Sequence, residues 1–441
     1  MEAVYREGVS EPRALLEGAF RAAVAAVDPD VAIRPHLPDP PSGRIVIVGA
    51  GKAAASMAAA CEAHYAELGT ALTGVVVTRY GHGAPTKSVR VLEASHPVPD
   101  AAGVAATDEI LGAVAAAGRD DHVVVLLSGG GSALLCAPAE GVTLEAKRSV
   151  TDALLRSGAT IDDMNVVRRH LSRSKGGRLA RLAAPAPLTA LVISDVVGDD
   201  LATIASGPTV PDPTTFADAL DVLDAYGIAD EAVRRVLRDG ADGGREETPK
   251  PGDPLLEHCR TILVATNETA LAAAAEHLRR GGYVPHTLSA TIVGEARDVG
   301  ALLGSVSERV WRLGEPFSAP CALLSGGETT VQVRGSGRGG RNGEAALGFA
   351  LSLPAEAPVW ALFADTDGID GTEENAGAFV TPMLLRTLDR RSARAALRAN
   401  DAYGVFADAG HLLLTGPTRT NVNDLRIVLV SEGSRVRGGA A

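Results

Sequence analysis

The sequence predicts an α/β protein: a parallel sheet covered on both faces, followed by a second, smaller α/β domain. Three observations predict it. Short β-branched runs end in turns of small residues and lead into helix-like stretches. The runs are almost continuously apolar, as strands buried on both faces require. The chain has 441 residues, 46% of them hydrophobic and 22% charged, enough for two or three domains with real cores. Aromatics are only 3%, so Ala, Val and Leu must do the packing.

The elements follow in order. Residues 44–48 (RIVIV) read as a strand, 49–51 (GAG) as its turn, and 52–68 as an Ala-rich helix. Residues 74–78 (GVVVT) and 89–94 add two strands, and 101–117 a helix. Residues 122–127 (HVVVLL) form a strand that ends in SGGGS. Helices are expected at 144–157 and 162–183, and a strand at 188–194 (LTALVIS). The polar stretch 239–254, rich in Gly, Pro and acid, is the expected linker, giving domains 1–245 and 246–441. Beyond it, strands are expected at 261–265, 283–289 and 321–324, with helices at 268–281 and 295–313.

The net charge of −12 argues against wrapping a nucleic-acid backbone. No run of ~18 apolar residues predicts a membrane span. The first twenty residues carry early acids and no long apolar core, so no signal peptide is expected. The four cysteines are far apart, which predicts reduced thiols, no metal knuckle and a cytoplasmic protein.

Seven segments carry chemistry. In VGAGKAAASM (48–57), glycines at a strand–helix turn allow close approach to an anion. Lys52 would oppose the helix dipole there by roughly 0.3–1 kcal/mol unless an anion were bound. The alternative is a bare βα turn. The next strand ends Val77-Thr78-Arg79, with no acid for a ribose. In LLSGGGSALL, the main-chain N–H groups of Ser128, Gly129, Gly130, Gly131 and Ser132 can form a nest for a carboxylate or phosphate. In MNVVRRHLSRSKGG, Asn165, Arg168 and Lys175 are candidates to grip an acid. Arg168 and Lys175 would share one face if the helix runs that far. A solvated basic face is the alternative for Arg169, Arg173 and Arg178. After the strand at 188–194, Asp195 and Asp199 are candidate Mg²⁺ ligands, with Asp195 alternatively a base. Helix capping is the alternative for Asp199 and Asp200.

The fifth segment, LLSGGETTVQVRGSGRGGRNGEAAL, interleaves Arg334, Arg338 and Arg341 with glycines ahead of a helix, which suits a polyphosphate. Its nucleotide candidates are Gly326, Gly327, Glu328, Gly339, Gly340, Asn342 and Glu344. Asp365, Asp367 and Asp370 follow another strand, where Mg-nucleotide contact and plain turn chemistry stay open. Asn421, in TGPTRTNVNDL, is a further candidate for a ribose or phosphate.

These motifs, in this order across residues 46–429, resemble the class II glycerate kinases, whose C-terminal part is the MOFRL domain. The quoted motifs are GAGK, SGGGS, MN-x-VRRHLS-x-x-KGG, SDV-x-GDD-x-x-x-IASGPTVPDP, SGGET-x-V-x-VRG-x-GRGGRN, TDGIDG and TGPT-x-TNVNDL. The resemblance implies a Rossmann-like first domain, a smaller MOFRL-type second domain and an active cleft between them. It implies transfer of the γ-phosphate of ATP, with Mg²⁺, to the 2-hydroxyl of D-glycerate. It places the family's lysine, aspartate and arginine on Lys52, Asp195 and Arg341. The expected partners are therefore ATP and a small hydroxy acid, with no nucleic acid or membrane and a homodimer allowed. Three departures stand out: Gly343 for a glutamine, Glu373-Glu374-Asn375 for a Pro-Thr-Asp region, and Arg419 for a glycine. A nicotinamide-dependent hydroxypyruvate reductase is the rival enzyme, and a metabolite sensor the non-catalytic alternative.

Overall fold

The computed structural model describes residues 11–431, so part of the expectation about the extreme N-terminus lies outside the described residues. The chain divides into two compact units, residues 29–264 and residues 1–28 with 265–441.

In the first unit, six strands form one sheet: β1 (Ile45–Ala50), β2 (Leu72–Arg79), β3 (Val89–Ala94), β4 (His122–Leu127), β5 (Leu188–Ile193) and β6 (Cys259–Ala265). Their order is β3-β2-β1-β4-β5-β6, with every pairing from β3 through β5 parallel. This is the Rossmann order, in which the sheet reverses direction of growth between β1 and β4. Ligands in such sheets bind beyond the strand ends at that point. β1 is buried along its whole length, and Val46, Val48, Val123, Val125, Leu188 and Ala190 share one core with Ile110 and Val114 of the helix Ala101–Ala115. Each fully buried Val or Leu contributes about 1.5–3 kcal/mol. Asp100 caps that helix by accepting from the Gly103 N–H, worth about 1 kcal/mol.

The second unit holds a mixed sheet. Its strands are β7 (Val284–Ser289), β9 (Cys321–Gly327), β11 (Val359–Asp365), β12 (Gly377–Val380), β13 (Leu412–Leu413) and β14 (Asp424–Val430). The short pair β8 (Gly294–Glu295) and β10 (Thr329–Thr330) stands apart. The order is β13-β12-β11-β14-β9-β7, antiparallel except for β7 with β9. The helix Arg341–Ser352 buries Leu347 and Phe349 in a core with Phe363 and Val428.

Three expectations change. The stretch at 239–254 is not a free linker: Arg178 and Arg181 donate to the Glu246 and Glu247 carbonyls, and Glu247 accepts from His170. The expected strand at 261–265 extends the first sheet as β6, so the division falls after residue 264 instead of near 245. The helix Pro12–Ala26 belongs with the second unit, where a Cβ on Gly18 would lie 2.5 Å from the His277 ring. Its buried Leu15, Leu16, Ala19 and Phe20 need a partner face, which the helix Asn267–Arg280 supplies.

Candidate active site

At the switch point of the first sheet the turns after β1 and β4 are laced together. The Lys52 N–H donates to Gly129 O (2.8 Å), the Ala53 N–H to Ser128 Oγ (3.0 Å), and the Ser128 N–H to Ala50 O (3.2 Å). Gly51 has φ 142°, and a Cβ there would lie 2.2 Å from Ser128 Oγ. Ser128 is therefore a lock between two turns, while Lys52 is half-buried just ahead of the helix Ala54–Glu67. Asp195, two residues past β5, packs on Gly129, where a Cβ would be 2.0 Å from its Oδ2.

Behind the nest runs a polar chain. Ser132 Oγ meets Ser206 Oγ at 3.0 Å, and Ser206 Oγ donates to Asn165 Oδ1 (3.2 Å). Ala205 and Ser206 are left-handed, at φ 51° and 60°, a conformation that costs about 1–3 kcal/mol per residue. The Lys175 ammonium holds them: its Nζ donates to Ala205 O (3.1 Å) and Ser132 O (3.0 Å).

The expected single helix through Lys175 ends at His170, and Gly176 and Gly177 turn the chain at positive φ. Arg168 and Lys175 thus do not share a helical face. Lys175 is wholly buried, and burial, then nearby Lys147, holds its pKa well below the ordinary lysine value. It positions the nest instead of gripping an acid. Arg168 lies one helical turn from Asn165 and acts electrostatically on Lys147 and Lys175. It makes no ion pair among the described residues. Asn165 Nδ2 is buried without a hydrogen-bond partner. Asn165 reaches the nest through Ser206 and Ser132, and its unpartnered amide is a donor that an anion would complement.

The other arginines of that segment are already engaged by partners within the fold. Arg169 is a buried partner of Asp212 (3.0 Å), so it is no solvated face. Arg173 pairs with Asp108, and Arg178 donates to Glu246 O. Asp200 is a capping residue, accepting from the Ala202 N–H and Thr203 Oγ1. Asp199 is left-handed (φ 57°) and half-buried. Among the described residues no three His, Cys, Asp or Glu side chains gather into a metal-holding group. Asp195 offers a half-buried hard oxygen donor, the kind that fits Mg²⁺, an ion that keeps water and substrate phosphates as its remaining ligands.

In the second unit Arg341 opens its helix but is not a free cation. Nε meets Asp424 Oδ1, Nη1 meets Glu328 Oε1 and Nη2 meets Asp365 Oδ2, each at 2.7 Å. Burial alone would lower its pKa; the facing Asp424, Asp365 and Glu328 raise it above the ordinary value. Burial, then Asp367, pushes Asp365 well above the usual carboxylate range. The helix N-terminus expected to face a phosphate is taken by Asp370, which accepts from the Asn342 N–H (2.9 Å) and Gly343 N–H (2.8 Å). Gly340 leaves room for it, since a Cβ there would lie 2.3 Å from Asp370 Oδ1. Burial lifts Asp370 to about 6 despite those bonds.

Other nucleotide candidates also prove to be internal ties. Glu344 is buried between Arg297 and Asn400. Asn421 accepts from the Asn423 N–H (3.0 Å) in a turn. Gly326 lies against the Asn267 carboxamide, Gly327 against Ile292, and left-handed Gly339 (φ 144°) against the Tyr403 N–H. Arg338 pairs with Glu373, one of the residues that depart from the family pattern, and lies over the Tyr403 ring. Missed from the sequence was Arg426, wholly buried, which ties Asp424 (2.6 Å) to Gly326 O (3.0 Å). Its signal was an Asp-x-Arg pair on one face of the apolar strand β14.

Residues 15–238 match the family model of a domain of unknown function, DUF4147, and residues 321–424 that of the MOFRL family. The chain is 41% identical to the D-glycerate 2-kinase of Thermotoga maritima, over 92% of this chain and 95% of that one. It is 40% identical to the glycerate 2-kinase of Pyrococcus horikoshii, over 88% of each. It is also 49% identical to a putative hydroxypyruvate reductase of Agrobacterium vitis, over 95% and 94%. The crystal structure of glycerate kinase from Thermotoga maritima superposes with a TM-score of 0.87, at 39% identity over 95% of this chain and 99% of that one. With its Rossmann-ordered sheet, its glycine nest and these relatives, the chain belongs to the class II glycerate kinase (MOFRL) family and is a kinase.

Proposed function

We propose that this kinase transfers the γ-phosphate of ATP to the 2-hydroxyl of D-glycerate, giving 2-phosphoglycerate. The observation that supports the reading is the unpartnered Asn165 Nδ2 at the end of the Ser132–Ser206 chain behind the nest, with Arg168 one helical turn on. The acid's carboxylate is held by the 128–132 main chain and Arg168. Lys52 offsets charge on the transferring phosphoryl group. Transfer of this kind rests mainly on positioning and charge stabilisation. Asp195 orients the acceptor hydroxyl and takes its proton, or, with Asp199, would hold Mg²⁺. When bound, that ion neutralises phosphate charge. In the second unit Arg341 is held in place by its carboxylates. The same proposal places the enzyme in the cytoplasm, where its four free cysteines stay reduced.

The test is incubation with MgATP and a panel of hydroxy acids, with the phosphorylated carbon assigned by NMR. Phosphate on C2 of D-glycerate is expected; phosphate on C3, or none, refutes the proposal. The reductase reading draws on the names of two relatives. Thr78 and Arg79 end β2 where an NAD ribose would need an acid. Loss of absorbance at 340 nm with hydroxypyruvate and NADPH, without ATP, would favour it.

A further inference from the structure

One side chain at the nest belongs to no motif discussed above. His96 follows β3, and its ring edge rests on the bare backbone of Gly130. A Cβ on Gly130 would lie 2.9 Å from His96 Cδ2 and 3.0 Å from Nε2. Gly130 is left-handed, at φ 82°, and leads into the short helix Gly131–Leu134. The imidazole therefore walls the nest at Gly130 as Asp195 does at Gly129. The ring is half-buried, and neither of its nitrogens has a hydrogen-bond partner among the described residues.

The charged groups acting on it are Lys52 from the β1 turn, Arg79 at the end of β2 and His82 beyond it. Burial, then those cations, lowers its pKa to about 4, so the ring is neutral at pH 7. A neutral imidazole carries one N–H donor and one acceptor. Among cations and next to main-chain N–H groups, the group that complements it is an anion. An anion there would offset the positive field and raise the ring's proton affinity.

We propose that His96 is a specificity residue that touches substrate: its N–H donates to an anionic oxygen of the hydroxy acid lodged on the 129–132 nest. The inference rests on the reading of that nest as the acid site. His96→Phe keeps ring volume without nitrogens, and His96→Gln keeps a donor. The Phe variant should raise the KM for D-glycerate tenfold or more while the KM for MgATP stays unchanged, and the Gln variant should recover most of that loss. In the full-length wild type, saturating D-glycerate should move the His96 titration midpoint upward by NMR. A His96→Phe enzyme with wild-type KM for D-glycerate, or a midpoint unmoved by saturating acid, overturns the inference. If wild type transfers no phosphate to D-glycerate, the parent reading falls, but the NMR titration still decides. Movement with D-glycerate, lactate or tartronate supports the His96 contact, and none with any of them refutes it. Should the variants fail to fold, the wild-type titration carries the test.

Discussion

Two glycine-rich turns, each at the end of a strand with cations nearby, have opposite electrostatics. Behind the 128–132 nest, among the described residues, Asn165 Nδ2 has no hydrogen-bond partner and Arg168 no ion pair. Around Arg341, carboxylates from β11, β14 and the residue just after β9 converge until the guanidinium is bound on all three nitrogens. The comparison teaches that a run of arginines among glycines is not by itself a free positive site. What matters is whether acids from other segments reach it first.

The strongest way to break that contrast is Arg341→Ala, which would leave Asp365 buried without its cation and Asp424 with Arg426 alone. Removing one partner of a buried network costs about 3–5 kcal/mol. The melting temperature should therefore fall together with activity; an inactive variant that melts like wild type would mean Arg341 acts as a free catalytic cation. Lys52→Ala should behave differently. It should lose roughly 10²–10³ in kcat, about 3–4 kcal/mol of barrier, with a smaller fall in melting temperature than Arg341→Ala, because its side chain is only half-buried. Wild-type turnover in a coupled assay would remove Lys52 from the proposal.

The pH dependence of stability sharpens the comparison. Asp370 is lifted to about 6 in the fold, so it binds protons more tightly folded than unfolded. Its stabilising contribution is complete below the unfolded pKa and is lost as pH rises through about 6, an effect of roughly 2–3 kcal/mol. Glu247 in the first unit runs the other way. Burial would raise it, but the bonds from His170, Thr248 and Phe216 hold it at about 2. Its contribution is present above the unfolded pKa and is lost as pH falls toward 2. Thermal melts of Asp370→Asn between pH 2 and 7 should flatten the first slope and leave the acid limb alone.

Two smaller effects complete the series. Arg168→Gln should raise the KM for D-glycerate by roughly 10–100-fold, the worth of a charged hydrogen bond of about 1.5–3 kcal/mol. An unchanged KM would leave the nest to work by main chain alone. Arg419 stands at φ 63°, a left-handed position that favours glycine. Arg419→Gly should stabilise the protein by up to about 1 kcal/mol in denaturant melts; a loss of stability would show that the arginine side chain holds the turn.

Much of the first unit was legible because its signals are local. RIVIV-GAG and HVVVLL-SGGG each announce a buried strand and a turn within ten residues, and the structure has β1 and β4 there. The helix through Lys175 was misread because residues 171–173 leave it to pair with 137–139, the Ala139 N–H donating to Leu171 O and the Arg173 N–H to Ala137 O, a distant contact that local pattern does not record. The linker reading failed for a similar reason. The acids at 246 and 247 are polar in sequence, but Arg178, Arg181 and His170 wait for them.

The sequence by itself determined which strands are buried, where glycine opens the backbone and which residue types gather at each turn. These follow from apolar runs and from the missing Cβ, both properties of neighbouring residues. Only tertiary structure decided which charges remain available. Arg341 meets its partners 13, 24 and 83 residues away, and Lys175 its carbonyl partners 30 and 43 residues away. Electrostatic pairing acts through space, and no local pattern records which distant group arrives.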